Sequence, residues 1–68
     1  MLTYVVGDER FELDAGDGEL TFTTTPDVLA LLRDGTLDPA VAFMQGRLKV
    51  AGDMATFYDL LPDIPVPR

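Results

Sequence analysis

The 68 residues of this chain include no cysteine and no histidine, two residue types that carry much of protein chemistry. Without cysteine the chain can form neither a disulfide framework nor a thiolate metal site. Without histidine it lacks the common general base, the Ser/His/Asp and Cys/His nucleophilic arrangements, and the usual zinc ligands. We therefore predict a protein that is not an enzyme and that uses no cofactor and no metal ion.

Basic residues are also scarce. The chain has five Lys and Arg against twelve Asp and Glu, a formal net charge of -7 at pH 7. Nucleic acids and anionic membrane surfaces reward clustered cations, so we expect neither as a partner. No apolar run approaches the ~20 residues of a spanning helix, and the first residues lack the basic and hydrophobic regions of a signal peptide. We predict a cytoplasmic protein without stable membrane insertion.

What remains is typical of one small globular domain, with 47% hydrophobic and 25% charged residues. Three segments up to Thr24 alternate apolar and polar residues with a period of two, which predicts three strands. Turn-forming residues at 7–9 and 14–18 separate these segments. We therefore expect an antiparallel meander with one face in solvent.

Two helices are predicted to follow the strands directly. Thr25 can cap a helix whose first position is Pro26, and Gly35 suits a left-handed conformation at its end. Asp38 and Pro39 repeat the same device for a second, short helix. The abrupt loss of the two-residue period at this point supports the change of structure.

The last third of the chain predicts one more strand and one more helix. Residues 47–51 alternate again, and Asp53 can cap a helix that Pro62 ends. Apolar residues of this helix stand at i, i+3, i+4 and i+7, on one face. We predict an α+β fold in the order βββααβα, a short antiparallel sheet with three helices packed on one face. One domain is expected over residues 1–61, with a proline-rich tail over 62–68.

The middle of the chain carries a series of motifs in a specific layout. They are a Leu-rich helix at 29–32, Gly35 with Pro39, the helix end Ala42-Phe43-Met44-Gln45-Gly46, the basic strand Arg47-Leu48-Lys49-Val50 and the helix start Gly52-Asp53-Met54. In this layout the chain resembles the sterol carrier protein type two (nonspecific lipid-transfer) family. Residues 2–24 fit the preceding strands of that family less specifically.

The resemblance implies a twisted sheet covered by helices, with an apolar tunnel between them for sterols, fatty acids, acyl-CoA esters or phospholipids. It implies no catalytic residues. Domains of the family usually begin with a helix and a first strand that have no counterpart here, so we expect a copy truncated at its N-terminus. The truncation is expected to leave an open sheet edge at Leu2–Val6.

A cavity between helices and sheet would be lined by residues that the patterns turn inward. The candidates are Phe22, Leu32, Phe43, Met44, Gln45, Leu48, Val50, Met54, Phe57, Tyr58 and Leu61. The apolar members have the spacing of ordinary core packing as well, and both interpretations stay open. Gln45 either bonds a ligand headgroup or lies in solvent at a helix end.

Two functions are consistent with the sequence. The first is noncatalytic binding or carrying of an apolar ligand, such as a fatty acyl chain, a sterol or a similar lipid, held by burial. The second is an assembly module that completes its sheet and core by dimerising or by docking on a larger protein. The two are compatible, because a dimer can create a cavity that one copy does not close. We predict a homodimer.

Overall fold

A computed structural model of the chain describes residues 1–67. Over these residues the elements follow the order βββααβα, with a short 3-10 helix after the last α-helix. They are β1 (Leu2–Val6), β2 (Glu9–Leu13), β3 (Leu20–Thr24), α1 (Pro26–Arg33), α2 (Pro39–Met44), β4 (Lys49–Gly52), α3 (Met54–Leu60) and the 3-10 helix (Leu61–Asp63). The predicted α+β class and element order are confirmed.

The strands form one mixed sheet in the order β2-β1-β3-β4. The pairs β1–β2 and β3–β4 are antiparallel, but β1 and β3 are parallel. The predicted antiparallel meander is therefore wrong at β3. The register gives the reason, since Leu2 pairs with Leu13 on one side and with Leu20 on the other. The connection 14–19 thus crosses the start of β1 instead of turning back beside β2.

This strand order also changes the edges of the sheet. β1 has a neighbour on each side, so Leu2–Val6 is not the open edge that the sequence predicts. The outer strands are β2 and β4, which are short and carry exposed charges such as Glu12 and Lys49. Short, charged edge strands are typical of sheets that resist pairing with another chain.

One face of the sheet carries the core. The rings of Tyr4 and Phe22, on the paired strands β1 and β3, stack with their centroids 4.8 Å apart. The helices cover this face with Leu29 and Leu32 from α1 and Phe57 from α3, all buried. Alternation along the strands leaves threonines and charged residues on the opposite face.

The helix starts predicted from the sequence are confirmed. Each of the three capping side chains accepts a backbone N–H from the first turn of its helix. The distances are 3.3 Å for Thr25 Oγ1 with Val28, 2.8 Å for Asp38 Oδ1 with Ala40, and 3.1 Å for Asp53 Oδ1 with Ala55. These caps fix where α1, α2 and α3 begin.

The segment 64–67 runs back against the domain. Ile64 is buried in the core, the Tyr4 hydroxyl donates to the Pro65 carbonyl at 2.7 Å, and Arg33 Nε donates to the Pro67 carbonyl at 2.9 Å. The proline-rich stretch is thus tied to β1 and α1 over the part that the structure describes. The tail predicted over 62–68 ends at Arg68, which lies outside the described residues.

Tyr4 couples the stability of the fold to alkaline pH. Burial raises the pKa of its phenol well above the ordinary value near 10. Because the folded-state pKa is the higher one, the contribution of the neutral phenol is complete below about pH 10 and is lost as the pH rises towards the folded pKa. We expect the free energy of unfolding to fall above about pH 10, and to fall less steeply in Tyr4→Phe.

Urea unfolding followed by circular dichroism across this pH range measures the effect. At neutral pH the Tyr4→Phe variant should lose about 1 kcal/mol, because the Pro65 carbonyl loses its buried donor. Equal pH slopes for the wild type and the variant would contradict the assignment to Tyr4.

Candidate functional site

A groove of about 540 Å³ opens to solvent between α2 and the segment formed by α3 and the 3-10 helix. Apart from the Tyr58 hydroxyl, its lining side chains contain no nitrogen or oxygen atom. The lining residues are Ala40, Phe43, Met44, Phe57, Tyr58 and Leu61. The volume falls within the ~300–1,000 Å³ of typical small-molecule sites.

Helical spacing brings the two walls together. Ala40, Phe43 and Met44 stand at i, i+3 and i+4 of α2, so they share one side of that helix. Phe57 and Leu61 stand four residues apart and likewise share a side. The two apolar sides face each other across the groove, where the rings of Phe43 and Phe57 have their centroids 4.9 Å apart.

Aromatic contacts connect the groove to the core. Phe57 is fully buried and forms the floor, with its ring centroid 6.3 Å from that of Phe22 and 4.9 Å from that of Phe43. The rim is far more open, since Met44 is 74% and Tyr58 63% exposed. The groove therefore has a floor held by core packing and a rim of side chains that can adjust.

The charges on the helices that form the groove are all acidic, namely Asp38 and Asp53 at the N-caps, Asp59 in α3 and Asp63 in the 3-10 helix, and none of them lines the groove. α2 contains no charged residue, and Asp59 is the one charged residue within α3. An apolar molecule can be held here by burial, but the lining offers no carboxylate, amine or guanidinium to act on it. A second pocket of about 390 Å³ is more polar and shares no lining residue with the groove. It is lined by Thr23, Thr24, Thr25, Val28, Gly46, Arg47 and Lys49.

Five of the eleven residues predicted for the site line the groove. They are Phe43, Met44, Phe57, Tyr58 and Leu61. Ala40 completes the lining and is missing from the predicted set, although its spacing from Phe43 and Met44 on α2 is the signal that identifies it.

The other six predicted residues lie elsewhere. Phe22, Leu32 and Leu48 are buried, and Val50 packs partly buried against them. The first three belong to the hydrophobic core cluster, and Val50 packs against it. Gln45 is the exposed C-cap of α2, and Met54 is a partly exposed first residue of α3, beside the groove but not in its lining.

Residues 1–67 carry neither a cluster of metal-ligating side chains nor a membrane-spanning helix. Nowhere in that range do three or more Asp and Glu side chains come together as a metal would require. The helices of the same range are all too short or too polar to cross a membrane.

The described chain is thus a small α+β domain with an apolar groove on its surface. Residues 2–60 match the SCP-2 sterol transfer family, and the chain belongs to that family. The resemblance stated from the motifs between Leu29 and Met54 is thereby confirmed. Comparisons with curated proteins and with solved structures give no match.

Proposed function

We propose that this protein binds and carries an apolar ligand, such as a fatty acyl chain or a sterol, in the groove between α2 and α3. Membership of a sterol transfer family supports lipid binding in general. The observation that carries the proposal is the groove of about 540 Å³ with its apolar lining and buried Phe57 floor. We take the ligand to be released unchanged, because the lining offers no carboxylate, amine, thiol or imidazole and its one polar side-chain group is the Tyr58 hydroxyl.

Burial provides enough free energy for such a carrier. At ~0.8 kcal/mol per methylene removed from water, eight buried methylenes contribute about 6 kcal/mol before the costs of association. The groove is open, so part of a bound chain stays in contact with water. Binding is therefore weak and reversible, as transfer between a donor and an acceptor requires.

Selectivity comes from shape, since the lining has no ionic group for a headgroup. An apolar site distinguishes neighbouring chain lengths by only ~1–3 kcal/mol. Met44 on the rim adds further tolerance, because an unbranched thioether side chain adapts to ligands of different outline.

Displacement of a fluorescent fatty acid, combined with native mass spectrometry of the gently purified protein, tests the proposal. Saturable binding of the probe and its displacement by unlabelled fatty acid or sterol support it. If the purified protein retained no lipid and did not bind the probe at micromolar concentration, the proposed function would be contradicted.

Filling the groove should weaken ligand binding without unfolding the protein. Ala40→Trp places an indole against Phe43 and Met44, where it occupies part of the groove. We expect roughly ten-fold weaker binding of the fluorescent fatty acid, because less of the groove volume is left for the ligand. The matched control is Ala30→Trp, at an exposed position of α1 outside the groove.

The wild type contains no tryptophan, so the new indole also reports its own position. Its emission should be blue-shifted in Ala40→Trp relative to Ala30→Trp. Equal affinities for the two variants, despite that difference in emission, would show that the ligand does not use the groove.

The alternative of an assembly module has less structural support. The sequence argument for this alternative is an open sheet edge at Leu2–Val6, but in the structure β1 is paired on both sides. Self-association through the sheet would have to use β2 or β4, whose exposed charges disfavour pairing. The predicted homodimer stays a prediction, which light scattering over a range of protein concentrations tests.

A further inference from the structure

The protein has few basic residues, and two of them meet at one pocket. The chain contains five Lys and Arg in all, and both Arg47 and Lys49 line the pocket of about 390 Å³, which we call the basic pocket. Its other lining residues are Thr23, Thr24, Thr25, Val28 and Gly46. The lining therefore offers cations and hydroxyl groups but no carboxylate, although the chain carries a net charge of -7.

Hydrogen bonds hold the backbone around the basic pocket in place. Thr23 and Lys49 are direct partners in the antiparallel pairing of β3 with β4, so their side chains lie on the same face of the sheet. The Thr24 hydroxyl donates to the Arg47 carbonyl at 2.8 Å and ties the loop between α2 and β4 to the end of β3. The Arg47 N–H donates to the Ala42 carbonyl at 2.9 Å. The residues that bring the cations to the pocket are thus positioned before any ligand binds.

The polar groups of the basic pocket are available to an anion. The structure pairs neither Arg47 nor Lys49 with a carboxylate of residues 1–67. Asp27 is the acidic residue closest to the lining residues along the chain, and it lies outside the lining. Thr25 Oγ1 accepts the Val28 N–H at 3.3 Å, but a hydroxyl accepts and donates at the same time, so its own proton can still be donated.

We propose that the basic pocket binds the phosphate group of a phosphomonoester. Such a group carries a charge of about -1.5 to -2 at pH 7, which two cations balance, whereas a carboxylate carries a single charge. The planar guanidinium of Arg47 matches two phosphate oxygens, and Lys49 adds a second positive charge. A nucleic acid fits less well, because proteins that bind one neutralise several phosphates along its backbone.

The size of the basic pocket suits a small phosphorylated molecule. Its volume of about 390 Å³ is within the ~300–1,000 Å³ of small-molecule sites, and Val28 adds apolar contact for an organic portion. Salt screens the distant acidic residues beyond ~10 Å at 0.1 M, so the cations of the lining dominate inside the pocket. Because this pocket and the groove share no lining residue, the proposal does not rest on the proposed function.

Titration of the isotope-labelled protein with inorganic phosphate, followed by amide NMR shifts at neutral pH and constant ionic strength, tests the proposal. We expect saturable shifts concentrated in residues 23–28 and 46–49. Acetate at the same ionic strength should bind at least roughly five-fold more weakly, because it brings one charge instead of nearly two. Absence of saturable shifts, shifts spread over the whole surface, or equal affinities for phosphate and acetate would each overturn the proposal.

Three variants separate the pocket from the general charge of the protein. Arg47→Gln, Lys49→Gln and the control Arg10→Gln each remove one positive charge at an exposed position, so all three should stay folded. Arg10 lies on β2, outside the lining. We expect each pocket variant to bind phosphate roughly five-fold more weakly and the control to stay within about two-fold of the wild type. An equal loss in all three variants would contradict a site at the basic pocket.

Two probes with the same phosphomonoester group distinguish a soluble source from a lipid headgroup. They are glycerol 3-phosphate and lysophosphatidate, the latter below its micelle concentration. Equal affinities support the site and identify a soluble phosphomonoester as its ligand. Much tighter binding of lysophosphatidate, with displacement of the fluorescent fatty acid, supports the site and identifies a headgroup whose acyl chain enters the groove. Loss of phosphate binding with normal fatty acid displacement would leave the proposed function intact.

Discussion

Replacement of Gly52 by alanine is expected to lower the free energy of unfolding by roughly 2–4 kcal/mol. Gly52 ends β4 with φ +120, a backbone conformation that L side chains rarely adopt. A Cβ atom there would also overlap the carbonyl oxygen of Glu19. That oxygen cannot move aside freely, because it accepts the N–H of Asp53 at 2.9 Å and so ties the start of α3 to the start of β3.

Gly46→Ala is the matched control for this change. Gly46 also has a positive φ, +76, but a Cβ atom at that position would meet nothing within 4 Å. The control should therefore lose only the conformational part, about 1 kcal/mol. Urea unfolding of both variants, followed by circular dichroism, gives the comparison. Equal losses would mean that the close approach to Glu19 contributes nothing.

Gly52 illustrates a part of the fold that no short stretch of the sequence encodes. The three helix starts depend on residues next to each other in the chain, a capping side chain followed in two cases by proline, and they are predicted correctly. The contact between Gly52 and Glu19 joins residues far apart in the chain, so no local pattern announces it.

The predicted pairing of β3 is wrong for the same reason, because that pairing depends on residues far apart in the chain. A period of two identifies the faces of β1, β2 and β3 but does not say which strands are neighbours. The loop 14–19 looks like a hairpin turn, yet it docks on α3, where the Gly18 N–H donates to Thr56 Oγ1 at 2.9 Å. That contact holds the loop across the start of β1, and the parallel pairing of β1 with β3 follows.

The candidate site shows a second limit of prediction from sequence patterns. Helical periodicity identifies the apolar sides that carry Phe43, Phe57 and Leu61, but it does not distinguish the wall of a groove from the centre of a core. The alternating patterns around Phe22 and Leu48 are equally clear, and both side chains are buried. Whether an inward side chain borders empty space depends on the volumes of residues on several elements together, and a single segment does not contain that information.

Truncation of Phe57 is expected to have the largest effect on stability of any change in the groove. Phe57→Ala should cost about 3–5 kcal/mol, because the ring is fully buried and packs against Phe22 and Phe43. A domain of 68 residues has a thin margin of stability, so this variant should be substantially unfolded without denaturant. Circular dichroism and thermal unfolding measure the loss.

Tyr58→Ala is the control at the neighbouring residue. It separates the contribution of the groove residues to stability from their contribution to ligand binding. Tyr58 is 63% exposed, so its truncation should change the free energy of unfolding by less than about 1 kcal/mol. It lines the groove mouth, and we expect its loss to weaken fatty acid binding several-fold. The milder Phe57→Leu variant keeps an apolar floor and allows the same binding measurement on a folded protein. If Tyr58→Ala bound fatty acid like the wild type while Phe57→Leu did not, the ligand would contact the buried floor without using the rim, and the open side of the groove would need another explanation.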